Sequence, residues 1–145
     1  MEKEITAFTD TMARALVQNK RFLLGRPAYI RTFSRIGSQI KKREKLRAKL
    51  DQAEGLVVPP VLILSVTGAC NLACKGCYAC ERKNEAEMDI AEIARIVDEA
   101  EKLGVAVVML AGGEPLMKPG LLDLPAAHPG TLFVMFTNGL LLKNA

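Results

Sequence analysis

No stretch of the 145 residues stays apolar for the roughly 18–20 positions that a membrane span needs. No apolar h-region follows the N-terminus MEKEITAFTD, which carries acids, so a secretory leader is not expected. Tryptophan is absent, and tyrosine and phenylalanine number only two and five. None of them interleaves with the basic run at 41–49, as stacking on single-stranded bases would require. The one histidine, His128, sits between Ala127 and Pro129 at an expected loop and reads as solvated rather than catalytic. No cysteine lies outside residues 70–80. Such clustering, without a leader, argues against a disulfide framework and for metal or redox chemistry in a reducing cytoplasm.

What remains is ordinary for a globular chain: half the residues are hydrophobic and a quarter charged, enough to bury the core of one domain. The net charge of +4 is unevenly placed. Residues 1–55 hold 13 Lys/Arg against 6 Asp/Glu, and residues 56–145 hold 7 against 10. The hydrophobic pattern changes at the same point. The expected organisation is therefore a basic, helical N-terminal extension over 1–55 and an α/β core over 56–145.

In the extension, Ile5, Phe8, Met12, Ala15 or Leu16, and Phe22 recur at helical steps until Gly25-Arg26-Pro27. A second stripe runs through Tyr29, Phe33, Ile36, Ile40, Leu46 and Leu50, with Lys41, Lys42, Arg43, Lys45, Arg47 and Lys49 on its other face. That face reads as solvated; contact with nucleic acid or an anionic membrane surface is the less favoured use. Gly55 and Pro59-Pro60 close the segment.

From residue 61 the pattern alternates strand and helix. VLILSVT (61–67) reads as a strand buried on both faces. Asp89 caps a helix whose apolar face is Ile90, Ile93, Val97, Ala100 and Leu103, and Gly104 ends it. VAVVMLA (105–111) and TLFVMFT (131–137) are two more strands, joined by a short helix within 119–128 that Pro125 interrupts. GLLLKNA begins another helix. Two successive βαβ units imply a parallel sheet, with ligands at the carboxyl ends of its strands. The cysteine loop, GGEP (112–115) and TNG (137–139) each follow a strand, so all three fall on that edge.

Cys70-x3-Cys74-x2-Cys77 puts three soft thiolates on one short loop, a spacing suited to an iron–sulfur cluster. A cubane has four irons, so three cysteines leave one open to another ligand. Structural zinc is the main competitor, although its four ligands usually come from two separated knuckles. In GGEP, two residues without Cβ allow close backbone approach, Glu114 offers a carboxylate to a cation, and Pro115 stiffens the exit.

The stretch Cys70-Asn71-Leu72-Ala73-Cys74-Lys75-Gly76-Cys77-Tyr78, followed by Gly112-Gly113-Glu114-Pro115, resembles the radical S-adenosylmethionine (radical SAM) superfamily over roughly residues 61–145. The resemblance implies the first three units of a partial (β/α)6 TIM-like barrel. It implies a [4Fe–4S] cluster on Cys70, Cys74 and Cys77, and S-adenosyl-L-methionine chelating the open iron. By the same resemblance, Gly112, Gly113 and Glu114 contact the amino group of that cofactor. Thr137 and Asn138, at the end of the third strand, are candidates to line the cavity, although a turn beginning a helix explains TNG nearly as well. A one-electron reductant, flavodoxin- or ferredoxin-like, triggers cleavage to a 5′-deoxyadenosyl radical, which abstracts hydrogen from an unknown substrate. The family often has an aromatic residue just before the third cysteine. Here Gly76 stands there, while Tyr78 follows Cys77 and reads as a packing residue.

Two other readings stay open. One is a [4Fe–4S] electron-transfer protein closed by Cys80 as fourth ligand. The x3-x2-x2 spacing runs opposite to that of bacterial ferredoxins and no proline follows Cys80, so Cys80 reads as a bystander. The other is a zinc-bearing nucleic-acid module using the basic arm. Neither has a use for GGEP.

Overall fold

The computed structural model describes residues 27–79 and 87–144. The first expected helical stripe, Ile5 to Phe22, and Cys80 lie outside them. The chain divides into two compact units at Gly37/Ser38, within a long helix, α1 (Pro27–Glu54). Of the first unit, the opening turns of α1 are described, beginning at a proline, whose fixed φ and missing N–H suit a first helical position. The helix ends where Gly55 takes φ +65° and donates its N–H to the Asp51 carbonyl at 2.9 Å.

The second unit, residues 38–145, holds the remainder of α1 and a three-stranded parallel sheet in the order β1 (Val61–Thr67), β2 (Val107–Gly112), β3 (Leu132–Met135). Val61 pairs with Val107, and Val107 with Leu132, so the strands start level and their carboxyl ends form one edge. The crossover from β1 to β2 contains α2 (Ile90–Lys102). Its start follows from capping: the Asp89 carboxylate accepts the Glu92 N–H at 2.7 Å. Its end follows from Gly104 at φ +89°. Ile93 and Val97 are fully buried against Leu64, Val66, Val108 and Leu110, with Leu121 and Leu124 completing the core.

Several expectations shift. Leu103 is exposed, because it caps α2 rather than continuing its apolar face. The connection after β2 is a 3-10 turn at Leu121–Asp123 leading into α3 (Leu124–Ala127). Pro125 lies in the first turn of α3 and so starts this short helix instead of interrupting it. Strands β2 and β3 are offset from or shorter than their expected spans. β1 alternates: Leu64 and Val66 are buried in the core with Ile93 and Val97 of α2, whereas Ile63 and Ser65 on the opposite face are exposed and Thr67, at the end of that face, is buried. The last segment forms a 3-10 turn at Leu142–Asn144. No helix among the described residues is long and apolar enough to cross a membrane.

Candidate active site at the carboxyl edge of the sheet

Three loops meet where the strands end. After β1 the chain runs Thr67-Gly68-Ala69 into Cys70, and this stem lies directly on the turn after β2. Thr67 O accepts the Gly113 N–H at 2.7 Å, and Ala69 O accepts the Glu114 N–H at 2.8 Å. The contact is so close that a Cβ on Gly112 would fall 2.4 Å from Thr67 O, and one on Gly113 2.1 Å from Ala69 O. Gly112 also takes φ +127°. The glycine pair is thus dictated by packing of the cysteine stem onto β2.

The thiols of Cys70, Cys74 and Cys77 share the loop that follows; Cys70 and Cys77 are half-buried and Cys74 is exposed. The Cys77 N–H donates to Cys74 O at 3.3 Å, closing a tight turn in which Gly76 takes φ +76°. A turn with positive φ at its third position favours glycine, which gives a physical reason for Gly76 where the family pattern often has an aromatic. Tyr78, expected to pack, is 62% exposed, and its hydroxyl reaches to 3.5 Å from the Gly112 carbonyl.

Glu114 is fully buried. One carboxylate oxygen accepts the Leu116 N–H at 3.0 Å and the Thr137 hydroxyl at 2.8 Å; the other accepts the Asn138 N–H at 2.8 Å. Burial acts to raise its carboxyl, but these donors hold it below the ordinary value. Glu114 therefore ties the turn after β2 to the turn after β3. Asn138 extends the tie, donating Nδ2 to Asn71 Oδ1 in the cysteine loop at 2.8 Å. Thr137, Asn138, Glu114 and the cysteine loop, read separately from the sequence, are joined through hydrogen bonds.

One member was not visible in the sequence. Glu87 lies at the far end of the cysteine loop, and its Oε1 accepts the Thr67 hydroxyl at 2.5 Å and the Gly68 N–H at 2.8 Å. Its Oε2 pairs with Lys118 Nζ at 3.2 Å. The Thr67 hydroxyl, the Gly68 N–H and Lys118 together lower its carboxyl from 4.5 to about 2. The only signal was an acid placed just before the Asp89 cap, and it matched no motif.

A second polar cluster occupies the opposite edge of the sheet. Arg43, expected on a solvated face, is buried, donating to Val105 O at 2.8 Å and Thr131 Oγ1 at 2.7 Å and pairing with Glu101 at 2.7 Å. His128, expected to be solvated, is buried as well. Its Nδ1 faces Asp98 and Glu101 at 3.5 and 3.8 Å. Burial acts to raise the Glu101 carboxyl; hydrogen bonds from Thr131 and Arg43 and the charges of Arg43 and His128 outweigh it and hold it low. The Arg43 guanidinium balances the Glu101 carboxylate within this cluster. Lys42, Lys45, Lys49 and Lys102 line a groove of about 590 Å³ beside it.

A 42% identical relative over 89 residues is the GTP 3′,8-cyclase of Synechococcus sp. (strain CC9902), covering 57% of this chain and 26% of the relative. The Fe-coproporphyrin III synthase of Methanosarcina barkeri is 34% identical over 87 residues, covering 57% and 22%. The mycofactocin maturase MftC of Mycobacterium ulcerans is 37% identical over 90 residues, covering 59% and 24%. The chain thus spans about a quarter of the length of the curated relatives it matches. No solved structure matches it. The model of the Radical SAM superfamily, whose enzymes use a [4Fe–4S] cluster and S-adenosylmethionine, matches residues 64–144. That span exceeds half of the sequence and takes in the cysteine loop, the GGEP turn and the TNG turn: the chain belongs to the radical SAM superfamily.

Proposed function

We propose that residues 56–145 are the first three units of a partial (β/α)6 radical SAM barrel, preceded by a basic extension over 1–55. In this reading Cys70, Cys74 and Cys77 hold the [4Fe–4S] cluster and leave one iron for S-adenosylmethionine. The observation that carries it is the meeting of three thiols on one loop with the GGEP turn, packed so closely that neither glycine tolerates a side chain. The donor set fits the group, because soft thiolates within one loop suit iron–sulfur ligation. Held by Cys70, Cys74 and Cys77, the cluster would supply one-electron reductive chemistry to S-adenosylmethionine, with a reductant protein as the electron source.

The chain's own residues bind and orient. The carboxylate of Glu114 is enclosed by three protein donors, so contact with the cofactor's amino group falls to backbone around Gly112 and Gly113. Glu114 contributes by holding Thr137 and Asn138 against the cavity. The substrate is left open: the three relatives carry names of three different kinds of synthesis, and this chain covers a quarter of each.

The test is anaerobic reconstitution, reduction and EPR with and without S-adenosylmethionine, in the parent and in Cys80→Ala. A [4Fe–4S] signal that shifts with the cofactor in both supports an open iron. A signal shifting only in Cys80→Ala makes Cys80 a fourth ligand and the chain an electron carrier, and zinc without sulfide rejects the cluster altogether.

A further inference from the structure

The three-residue stem before Cys70 is held from two sides. On one side, Gly113 and Glu114 donate their N–H groups to Thr67 O and Ala69 O. On the other, a single carboxylate oxygen of Glu87 collects the Thr67 hydroxyl at 2.5 Å, the Gly68 N–H at 2.8 Å and the Ala69 N–H at 3.4 Å. Thr67 Oγ1 in turn accepts the Ala69 N–H at 3.0 Å. With carbonyls and amides both engaged, little torsional freedom remains between the buried end of β1 and Cys70. Glu87 comes from beyond the cysteine loop, so the same contact closes that loop at its base, and Lys118 joins the closure to the segment after GGEP at 3.2 Å.

We infer that Glu87 is a positioning residue for Cys70: it fixes the stem from which the first cluster thiol projects. Charge-assisted acceptance of several donors at one oxygen is stronger than neutral bonding, which suits a carboxylate to this place. The role differs from that of Glu114, which joins β2 to β3 and leaves the stem amides untouched. Removing Glu87 loosens Cys70 selectively, because Cys74 and Cys77 lie within their own turn further along the loop.

The decisive measurement needs no cluster. In the full, metal-free chain, the native alkylation rates of Cys70, Cys74 and Cys77 are compared by mass spectrometry. Glu87→Ala raises the Cys70 rate about five- to tenfold over the other two, as expected for local opening after loss of a charged acceptor. Glu87→Gln, which keeps an acceptor oxygen but loses its charge, gives a smaller rise that is likewise confined to Cys70. Equal acceleration of all three thiols overturns the assignment by making Glu87 a general stabiliser, and unchanged rates overturn it by making Glu87 irrelevant to the loop. If Glu87→Ala does not fold by circular dichroism, Lys118→Met replaces it; a smaller rise confined to Cys70 supports the role, and no selectivity rejects it.

A second measurement rests on the cluster reading. After anaerobic reconstitution, Glu87→Ala retains less iron and sulfide than Glu87→Gln, and equal retention counts against positioning. A parent that takes up neither iron nor sulfide counts against the cluster reading instead, and the alkylation pattern still decides the role of Glu87.

Discussion

Asn138 donates its side-chain Nδ2 to the side-chain Oδ1 of Asn71 at 2.8 Å, joining the turn after β3 to the cysteine loop across 67 positions of sequence. Both residues are exposed, so the bond competes with water. Asn71→Ala and Asn138→Ala should each cost about 0.5–1.5 kcal/mol. A double-mutant cycle by urea denaturation should show the double variant to be less destabilised than the two losses added, because they share one contact. Strict additivity would mean that the contact is not formed in solution.

Glu114 should behave as a structural carboxylate. Glu114→Ala abandons three donors, each costing roughly 1–3 kcal/mol when buried, so a loss of about 3 kcal/mol or more is expected. Glu114→Gln keeps the volume but turns an NH₂ toward a donor, and should lose about 1–3 kcal/mol. Urea midpoints measure both. A neutral Glu114→Ala would contradict the enclosed geometry.

The glycines of the site divide into two kinds. Gly113→Ala puts a methyl into the Ala69 carbonyl and should destabilise by about 3 kcal/mol, near the upper end of overpacking costs. Gly76 has open space around it, so Gly76→Ala pays only for left-handed backbone, about 1–2 kcal/mol. Thermal melts of the two variants should rank in that order.

Acid should weaken the base of the cysteine loop through Glu87. Its carboxyl is lowered from 4.5 to about 2, so the folded state prefers the ionised form. That stability is fully present above about pH 4.5 and is lost as the pH falls towards 2. Glu87→Gln has nothing to titrate there, so the parent's stability should fall more steeply with acid across that window. Parallel curves for parent and variant would remove Glu87 as the source.

The sequence made the parallel order of the strands legible, because each strand is a short apolar run and the helix between the first two carries its own cap and stop. The thiols and the glycines stood out too, because each forms a compact run, although what requires the glycines is the approach of Thr67 and Ala69 from the end of another strand. Partnerships set by tertiary approach were not legible. Nothing near Glu87 announces that its oxygen will meet the stem before Cys70, and nothing near Glu114 announces that its carboxylate will accept from Thr137 and Asn138. Arg43 misled for a related reason: within a run of lysines it carries no local mark of burial, and its partners Val105, Thr131 and Glu101 lie 58 or more positions away.

Arg43 also sets where this fold can be cut. The family match begins at residue 64, and a shortened chain starting there would look sufficient by alignment. It would leave the Glu101 carboxylate, the Thr131 hydroxyl and the Val105 carbonyl without their shared guanidinium, at the edge of the sheet farthest from the thiols. A shortened version of this core should therefore keep the second half of α1, with its boundary near Ser38 rather than at residue 64.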